Sequence, residues 1–545
     1  MPQPGLMMDR PLLISDVIEH AAGQFGAVPI VSRGASGLFR YTYAECASRA
    51  RRLANALRRA GIEPGHAVGT LAWNDHRHLE AYFAVSGSGL VIHTCNPRLH
   101  VDQLIYIVNH AEDRAMLFDR QFAPIVSAIA PHCPAVTAWI CLTEPENMPP
   151  VEGVANLLCH EQWIAPHSDA FDWPRFDERT AAALCYTSGT TGHPKGVMYS
   201  HRSMVLNAMT VCMPGMFSVS PRDAILPAVP MFHVNGWCMP YAAPIGGAKL
   251  VLPGQYLDGA SLYELIESEG VTASAGVPTI WHGVLRHLEE TGRRFSTLER
   301  IIVGGSALPA ALIARYTDDY GVEMRQGWGM TETVAVATMS CLGPPERDLP
   351  PEQRHAHVAR QGKSAFGVEI KIIDSAGATL PRDGIAQGEL LVRGQWIIES
   401  YYKVGSALID GWFPTGDIAT IDAHGIMQIR DRAKDLIKTG GEWISSIDLE
   451  NAAAGHPAVA MAAVIGVRHP RWDERPVLFI VRKTAQALER EQILEFLAAR
   501  VARWWLPDEV IFLDAMPVGG TGKVQKAVLR ERYGGLFTST GEPGP

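Results

Sequence analysis

A chain of 545 residues, 47% of them hydrophobic, is long enough for more than one domain and for large cores. Its formal net charge of −9 argues against nucleic acid as the main partner, although local basic groups can still bind anionic ligands. No segment approaches ~20 consecutive apolar residues, so no membrane span is expected.

In chain order, the first stretch (1–22) carries acidic residues and no long apolar run, which does not read as a signal peptide. The nine cysteines, scattered from Cys46 to Cys341 without a C-x-x-C pair, read as reduced thiols of a cytoplasmic protein. The apolar run AAALCY (181–186) predicts a buried strand, and MYSHRSMVLNAM (198–209) predicts a helix starting near Ser200 or His201. Between them lies TSGTTGHPKG (187–196). Glycines let backbone N–H groups approach oxygen atoms, hydroxyls donate hydrogen bonds and Lys195 adds positive charge. Strand, Gly-rich loop and helix make a phosphate-binding arrangement. The nucleotide P-loop is excluded, because Lys195 follows Pro194 rather than glycine. A second near-match, GGTGKV (519–524), has Val524 where a hydroxyl is needed. Cys185 beside the loop reads as a nucleophile or as a buried strand thiol, and the second reading is favoured.

Helix and strand patterns alternate through 262–309, the rhythm of an α/β protein with mostly parallel sheets. From about Arg393 the pattern changes to short strands with Gly and Asp-x-x-Gly turns, a small β-rich subdomain. The charged stretch DRAKDLIKTGGEWIS (431–445) reads equally as a hinge or as a solvated β-turn. Helix, strand and helix patterns follow at 447–456, 459–467 and 490–501, giving a separate small α/β domain. The expected division is a large domain at 1–431, a hinge at 432–434, a small mobile domain at 435–536 and a disordered tail at 537–545.

Six stretches together carry a resemblance: YTSGTTGHPKG (186–196), VPMFHVNGW (229–237), QGWGMTE (326–332), GWFPTGD (411–417), DRAKDLIK (431–438) and PVGGTGKVQK (517–526). In order and spacing they are similar to the adenylate-forming superfamily, specifically its bacterial medium- and long-chain fatty-acyl-CoA synthetases. The similarity runs over nearly the whole chain. It implies a two-step ligase. A carboxylate attacks the α-phosphate of MgATP to give acyl-adenylate and pyrophosphate, and the CoA thiol then displaces AMP. It also implies a homodimer, Mg2+ as cofactor, and a hydrophobic carboxylic acid, ATP and CoA as substrates.

The resemblance assigns roles to residues. Thr187, Ser188, Gly189, Thr190, Thr191, Gly192 and Lys195 would hold the β- and γ-phosphates, and Glu332 with Thr187 would bind magnesium. Gly305, Ser306, Gln326, Gly327, Trp328 and Gly329 would form the adenine side, with Trp328 as the stacking plane, and Thr331 would contact the α-phosphate. Asp417 and Arg432 would hold the ribose, Lys434 would be the hinge and Lys523 would bridge carboxylate and α-phosphate. Lys438 would lie near the nucleotide or CoA, and Gly440, Gly441 and Trp443 on the CoA side. His233 would place the acyl group and Trp237 would gate its tunnel. Two departures stand out: Gly236 where relatives often carry alanine, and Trp328 where they often carry tyrosine. An aryl or aryl-alkanoate CoA ligase is the alternative on the same scaffold. An enzyme that loads a carrier protein would need a carrier domain, and none follows the lysine motif. A non-enzymatic binding module would have no reason to keep Glu332 and Lys523 together.

Overall fold

The computed structural model describes residues 3, 5–154, 156–187, 193–439, 442–483, 487–519 and 523–537. The expected contributions of Ser188, Gly189, Thr190, Thr191, Gly192, Gly440 and Gly441, and the tail from residue 538 on, lie outside the described residues.

The expected α/β class is what is found. A seven-stranded sheet runs in the order Leu157–Cys159, Ala138–Cys141, Asp113–Phe118, Ala67–Leu71, Val91–Thr94, Ala181–Tyr186 and Gly196–Ser200. It is parallel up to its last strand, which pairs antiparallel. A nine-stranded sheet has a parallel body that includes Ala224–Pro227, Ala273–Gly276, Arg300–Val303 and Glu323–Trp328. Body strands such as AILP and RIIV are buried throughout, as parallel strands covered on both faces must be. A four-stranded antiparallel sheet joins Val368–Ile373, Gly388–Gly394, Phe413–Ile421 and Met427–Arg432. Its first strand alternates buried and open residues. This β-rich region therefore begins at Val368, ahead of the change expected near Arg393, because VEIKII already has the two-residue period.

The last sheet has five strands and its own core, in which Ile437, Leu449, Val464, Leu478, Ile493 and Leu497 are fully buried. Phe537, expected in the disordered tail, packs edge-on against His469. The stretch 431–445 contains both a turn and a hairpin. Leu436 N–H returns to Arg432 O at 3.0 Å, and Ile437–Thr439 pairs with Glu442–Ile444.

One strand was not expected. The helix begins at His201, one of the two starts predicted, and Gly196–Ser200 before it is a strand paired with Ala181–Tyr186. Val197 and Tyr199 are buried while Met198 is exposed, a period of two that a helix would not give. Ser200 ends the strand and caps the helix by accepting from Ser203 N–H at 3.1 Å. The Gly-rich loop thus joins the two arms of a hairpin rather than a strand to a helix. Among the described residues, no helix is long and apolar enough to cross a membrane.

Backbone packing is tightest at the turn after Glu323–Trp328. A Cβ added to Gly329 would lie 1.6 Å from Ala335 O, a backbone atom that cannot yield. Gly329→Ala is expected to lower stability by about 1–3 kcal/mol. Gly23→Ala, in the helix Ile14–Gln24 with nothing within 4 Å, should instead raise it by about 0.5–1 kcal/mol. Denaturant unfolding of the two variants checks both signs.

Candidate active site

Two neighbouring parallel strands, Arg300–Val303 and Glu323–Trp328, end side by side. Beyond them come Gly304, Gly305 and Ser306 on one side and Gly329 on the other. Gly305 has φ +84°, a left-handed conformation that favours glycine. At the end of the second strand, the Trp328 indole N–H donates to Asp417 Oδ2 at 2.9 Å. Asp417 stands opposite Arg432 across an antiparallel pair, and Arg432 Nε lies 2.7 Å from Oδ1. Both oxygens of this buried carboxylate therefore have a donor. Burial raises its pKa and Arg432 opposes the rise. The indole in place of a phenol thus sends its polar edge to Asp417. Gln326 is buried, and its Oε1 has no partner within the protein.

The Gly-rich loop is closed at its mouth. Thr187 N–H donates to Lys195 O at 2.9 Å, and Lys195 N–H donates to Thr187 Oγ1 at 3.3 Å. The Lys195 ammonium lies 4.9 Å from the centre of the Tyr401 ring, and the Tyr401 hydroxyl donates to Glu332 Oε1 at 2.7 Å. Tyr401 thus couples the loop lysine to Glu332. Glu332 is buried, and desolvation raises its pKa against the Tyr401 hydrogen bond and the charges of Arg432 and Lys195. Thr331 is fixed through its carbonyl, which accepts from the Tyr199 hydroxyl at 2.6 Å. Thr187 and Glu332 offer oxygen donors only, the set that suits Mg2+.

Tyr401 and Tyr199 were not legible as site residues. Neither falls in a glycine-rich or charged motif. The signal that locates Tyr401 is tertiary: its neighbour Tyr402 donates its backbone N–H to Gly196 O at 2.8 Å, tying the segment to the loop.

Lys523 comes from the C-terminal unit on a turn closed by Gly519 N–H to Lys523 O and Gln525 N–H to Pro517 O, both 2.8 Å. Its stem crosses Gly305, where an added Cβ would lie 3.5 Å from Lys523 Cε. The residue as a whole is open to solvent. Its ammonium nevertheless sits in a protein-walled cleft, where desolvation and then Arg432 push its pKa down to about 8, with Asp417 and Glu332 pulling it back. Lys438 and Trp443, by contrast, are exposed partners across their hairpin, with the Lys438 ammonium 4.9 Å from the Trp443 ring centre. Lys434 is exposed in the turn between Arg432 and Leu436.

His233 lines a pocket with Thr94, Asn96, Tyr186, Thr187 and Phe232, next to the loop mouth. Desolvation and then Lys523 lower its pKa to about 3, so the imidazole is neutral. Val234, Asn235, Gly236, Trp237 and Cys238 all have positive φ, from +36° to +59°, forming a left-handed turn in the core. The Trp237 ring packs on Gly304, where an added Cβ would lie 3.0 Å from it. Gly236 has φ +59°, and a Cβ there would lie 3.3 Å from Met231 and Pro240 side chains, which accounts for glycine in place of alanine. Cys185 is buried beside this turn, and burial pushes its thiol up to about 11, so it is a strand thiol rather than a nucleophile.

Among the described residues, His93, Cys95 and Asp113 are close enough to suggest a metal group. They are wholly buried, and His93 Nδ1 hydrogen-bonds Asp113 Oδ2 at 2.8 Å. The pair spans the strand of Gly69, whose missing side chain leaves the room. That geometry is a structural bridge.

The description "AMP-binding enzyme" belongs to the family model that matches residues 18–402, and "AMP-binding enzyme C-terminal domain" to the one that matches 448–523. A 3-methylmercaptopropionyl-CoA ligase of Ruegeria lacuscaerulensis is 47% identical, covering 98% of this chain and 99% of its own. A medium-chain-fatty-acid–CoA ligase of Ectopseudomonas oleovorans is also 47% identical, covering 98% of each chain. A solved anthranilate CoA ligase in complex with anthranoyl-AMP is similar with a TM-score of 0.85 at 26% identity, covering 96% of this chain and 98% of that one.

Tyr401→Phe keeps the ring beside Lys195 and removes the hydroxyl from Glu332. Because that hydrogen bond favours the ionised form, the variant's Glu332 carboxyl is expected to titrate at higher pH than in the parent protein. Isotope-edited infrared titration, with Glu332→Gln identifying the band, checks the direction. A downward shift or none would remove Tyr401 from this role.

Proposed function

The chain belongs to the AMP-binding enzyme family, and on that premise we propose that it activates a flexible, apolar monocarboxylate, a medium-chain fatty acid foremost. It is an AMP-forming acid–thiol ligase that adenylates a carboxylate with ATP and passes the acyl group to CoA. The observation that carries the residue assignments is the arrival of Lys523 from the C-terminal unit over Gly305, beside Asp417 and Arg432.

In this reading Thr187 and Lys195, with the loop residues between them, hold the β- and γ-phosphates. Trp328 offers its face to adenine while its edge is held by Asp417, with Gly305, Ser306, Gln326, Gly327 and Gly329 around the base. Asp417 accepts from the ribose hydroxyls and Arg432 keeps it ionised. Thr331 contacts the α-phosphate. Glu332 and Thr187 would hold Mg2+, which when bound neutralises phosphate charge. The Lys523 ammonium offsets repulsion as the carboxylate oxygen attacks the α-phosphorus and pyrophosphate leaves. The thiol sulfur of CoA then attacks the acyl carbon, losing its proton, and AMP leaves with its electron pair. Neutral His233 borders the acyl carbonyl without adding charge.

Two reactions in one cleft favour two orientations of the C-terminal unit, exchanged about Lys434. One places Lys523 in the cleft. The other brings in the hairpin of Lys438, Gly440, Gly441 and Trp443 to line the pantetheine path. The proposed assembly is a homodimer, to which the highly exposed apolar Leu6, Met7 and Met8 lend contact area.

Flexible monocarboxylates are supported by the two 47%-identical relatives, whose names specify 3-methylmercaptopropionyl and medium-chain fatty acyl groups. An aryl acid is the second reading. The observation in its favour is the likeness to the solved anthranilate CoA ligase, with a TM-score of 0.85 at 26% identity.

A panel of straight-chain acids, 3-methylmercaptopropionate, benzoate and anthranilate, assayed for CoA-dependent AMP release, decides between the two. The expected maximum in kcat/KM is at medium-chain acids, and a maximum at the aryl acids would reverse the order. Lys523→Ala should slow adenylation by roughly 10²–10³-fold while supplied acyl-adenylate and CoA still give thioester. With its pKa at about 8, Lys523 carries its charge below that pH and loses it above. The kcat/KM for ATP should therefore fall as pH rises through about 8 in the parent enzyme. A profile flat to higher pH would count against an ammonium in this step.

A further inference from the structure

Arg432 and Asp431 are neighbours on one strand, so their side chains leave on opposite faces. Arg432 turns to Asp417 in the cleft. Asp431, which is 1% exposed, turns to the C-terminal unit, where Oδ2 accepts from the backbone N–H of Ser446 at 2.6 Å. The strand is bulged at this point: Asp431 faces Ile418, but the next pair is Ile429 with Ala419, leaving Arg430 unpaired. The freed Arg430 carbonyl accepts from the Ser445 hydroxyl at 2.5 Å, and its guanidinium lies 3.8 Å from Asp448. The helix Ser446–Ala454 thus begins on the bulge.

Ser446 passes the contact on. Lys526 Nζ donates to Ser446 Oγ at 2.6 Å and pairs with Glu450 Oε1 at 2.8 Å. Lys526 opens the helix Lys526–Tyr533, which is tied a second time by Arg530 to Asp435 at 2.5 Å. Three residues before Lys526 stands Lys523. Desolvation pushes the Asp431 carboxyl up to about 6, and Lys526 pulls it back, so it is ionised at neutral pH. A buried carboxylate between a backbone N–H and a buried ammonium is stable only while both stay in place.

We propose that Asp431 is a positioning residue that latches the C-terminal unit through Ser446 and Lys526 so that Lys523 stays in the cleft. The inference rests on the ligase reading above and extends it to the contact that favours one orientation. Rotation about Lys434 must break the Asp431–Ser446 and Arg430–Ser445 bonds, because they join residues on either side of the pivot. Opening the latch leaves Asp431 to water, which solvates a carboxylate well, so the contact can release as well as hold. Lys526, Ser446 and Glu450 all lie beyond the pivot, and their mutual bonds travel with the unit.

The test separates orientation from chemistry. Spin labels on Glu290→Cys and Glu495→Cys, with Cys212 and Cys341 changed to serine, report the distance between the helices Pro278–Thr291 and Arg490–Ala498. Asp431→Ala is expected to shift that distance distribution away from the parent's. It should slow acyl-adenylate formation about tenfold while leaving thioester formation from supplied adenylate and CoA unchanged or faster. Lys526→Met should follow Asp431→Ala, and Lys526→Arg should restore the parent behaviour. An unchanged distribution, or equal losses in both half-reactions, overturns the latch. If the parent protein adenylates no acid, the ligase reading fails, and the distance measurement still decides whether Asp431 sets the orientation.

Discussion

Two buried carboxylates organise the cleft. Asp417 and Glu332 are both buried, and an unpaired carboxylate out of water costs several kcal/mol. Each is therefore surrounded by donors: Asp417 by the Trp328 indole and Arg432, Glu332 by the Tyr401 hydroxyl. In the proposed reading, the cations needed to keep them ionised are also those a triphosphate would meet. Lys195 on its tyrosine ring and Lys523 over Gly305 complete the set. The acids hold the bases in position before any ligand arrives, so little reorganisation is left for the moment of reaction.

The sheets explain why these groups converge. Arg300–Val303 and Glu323–Trp328 end together because they are parallel neighbours, and the carboxyl ends of such strands are where α/β sites form. The antiparallel sheet contributes by a different rule. Asp417 and Arg432 are cross-strand partners, so their pairing follows from register. The C-terminal unit then needs to present only one lysine.

Much of this was legible in the sequence. Glycines, hydroxyls and a lone lysine in 187–196 carry phosphate chemistry in their composition, and the motif residues that stand within the described structure around Asp417 and Lys523 do come together. What was missed has particular causes. The strand Gly196–Ser200 went unread because the cap at Ser200 marks where a helix begins without saying what precedes it. Tyr401 carries no local signature, since a loop tyrosine becomes a ligand for Glu332 only through the tertiary path that brings it there. Lys438 and Trp443, expected on the nucleotide or CoA side, stack on each other in solvent in this orientation of the C-terminal unit. The left-handed turn at 234–238 was invisible because four of its five residues bear side chains that disfavour it.

That turn has a consequence for the order in which the chain assembles. Left-handed backbone costs roughly 1–2 kcal/mol per residue for side chains other than glycine, so the isolated segment hardly populates it. Nothing local can nucleate it. It can form only once the strand of Cys185 and the glycines after Arg300–Val303 are already in place to receive Val234, Asn235 and Trp237. This turn is thus among the last parts of the large unit to set. Substitutions there that relax or tighten the turn act mainly on the rate at which the native state is lost, and leave the early course of folding untouched.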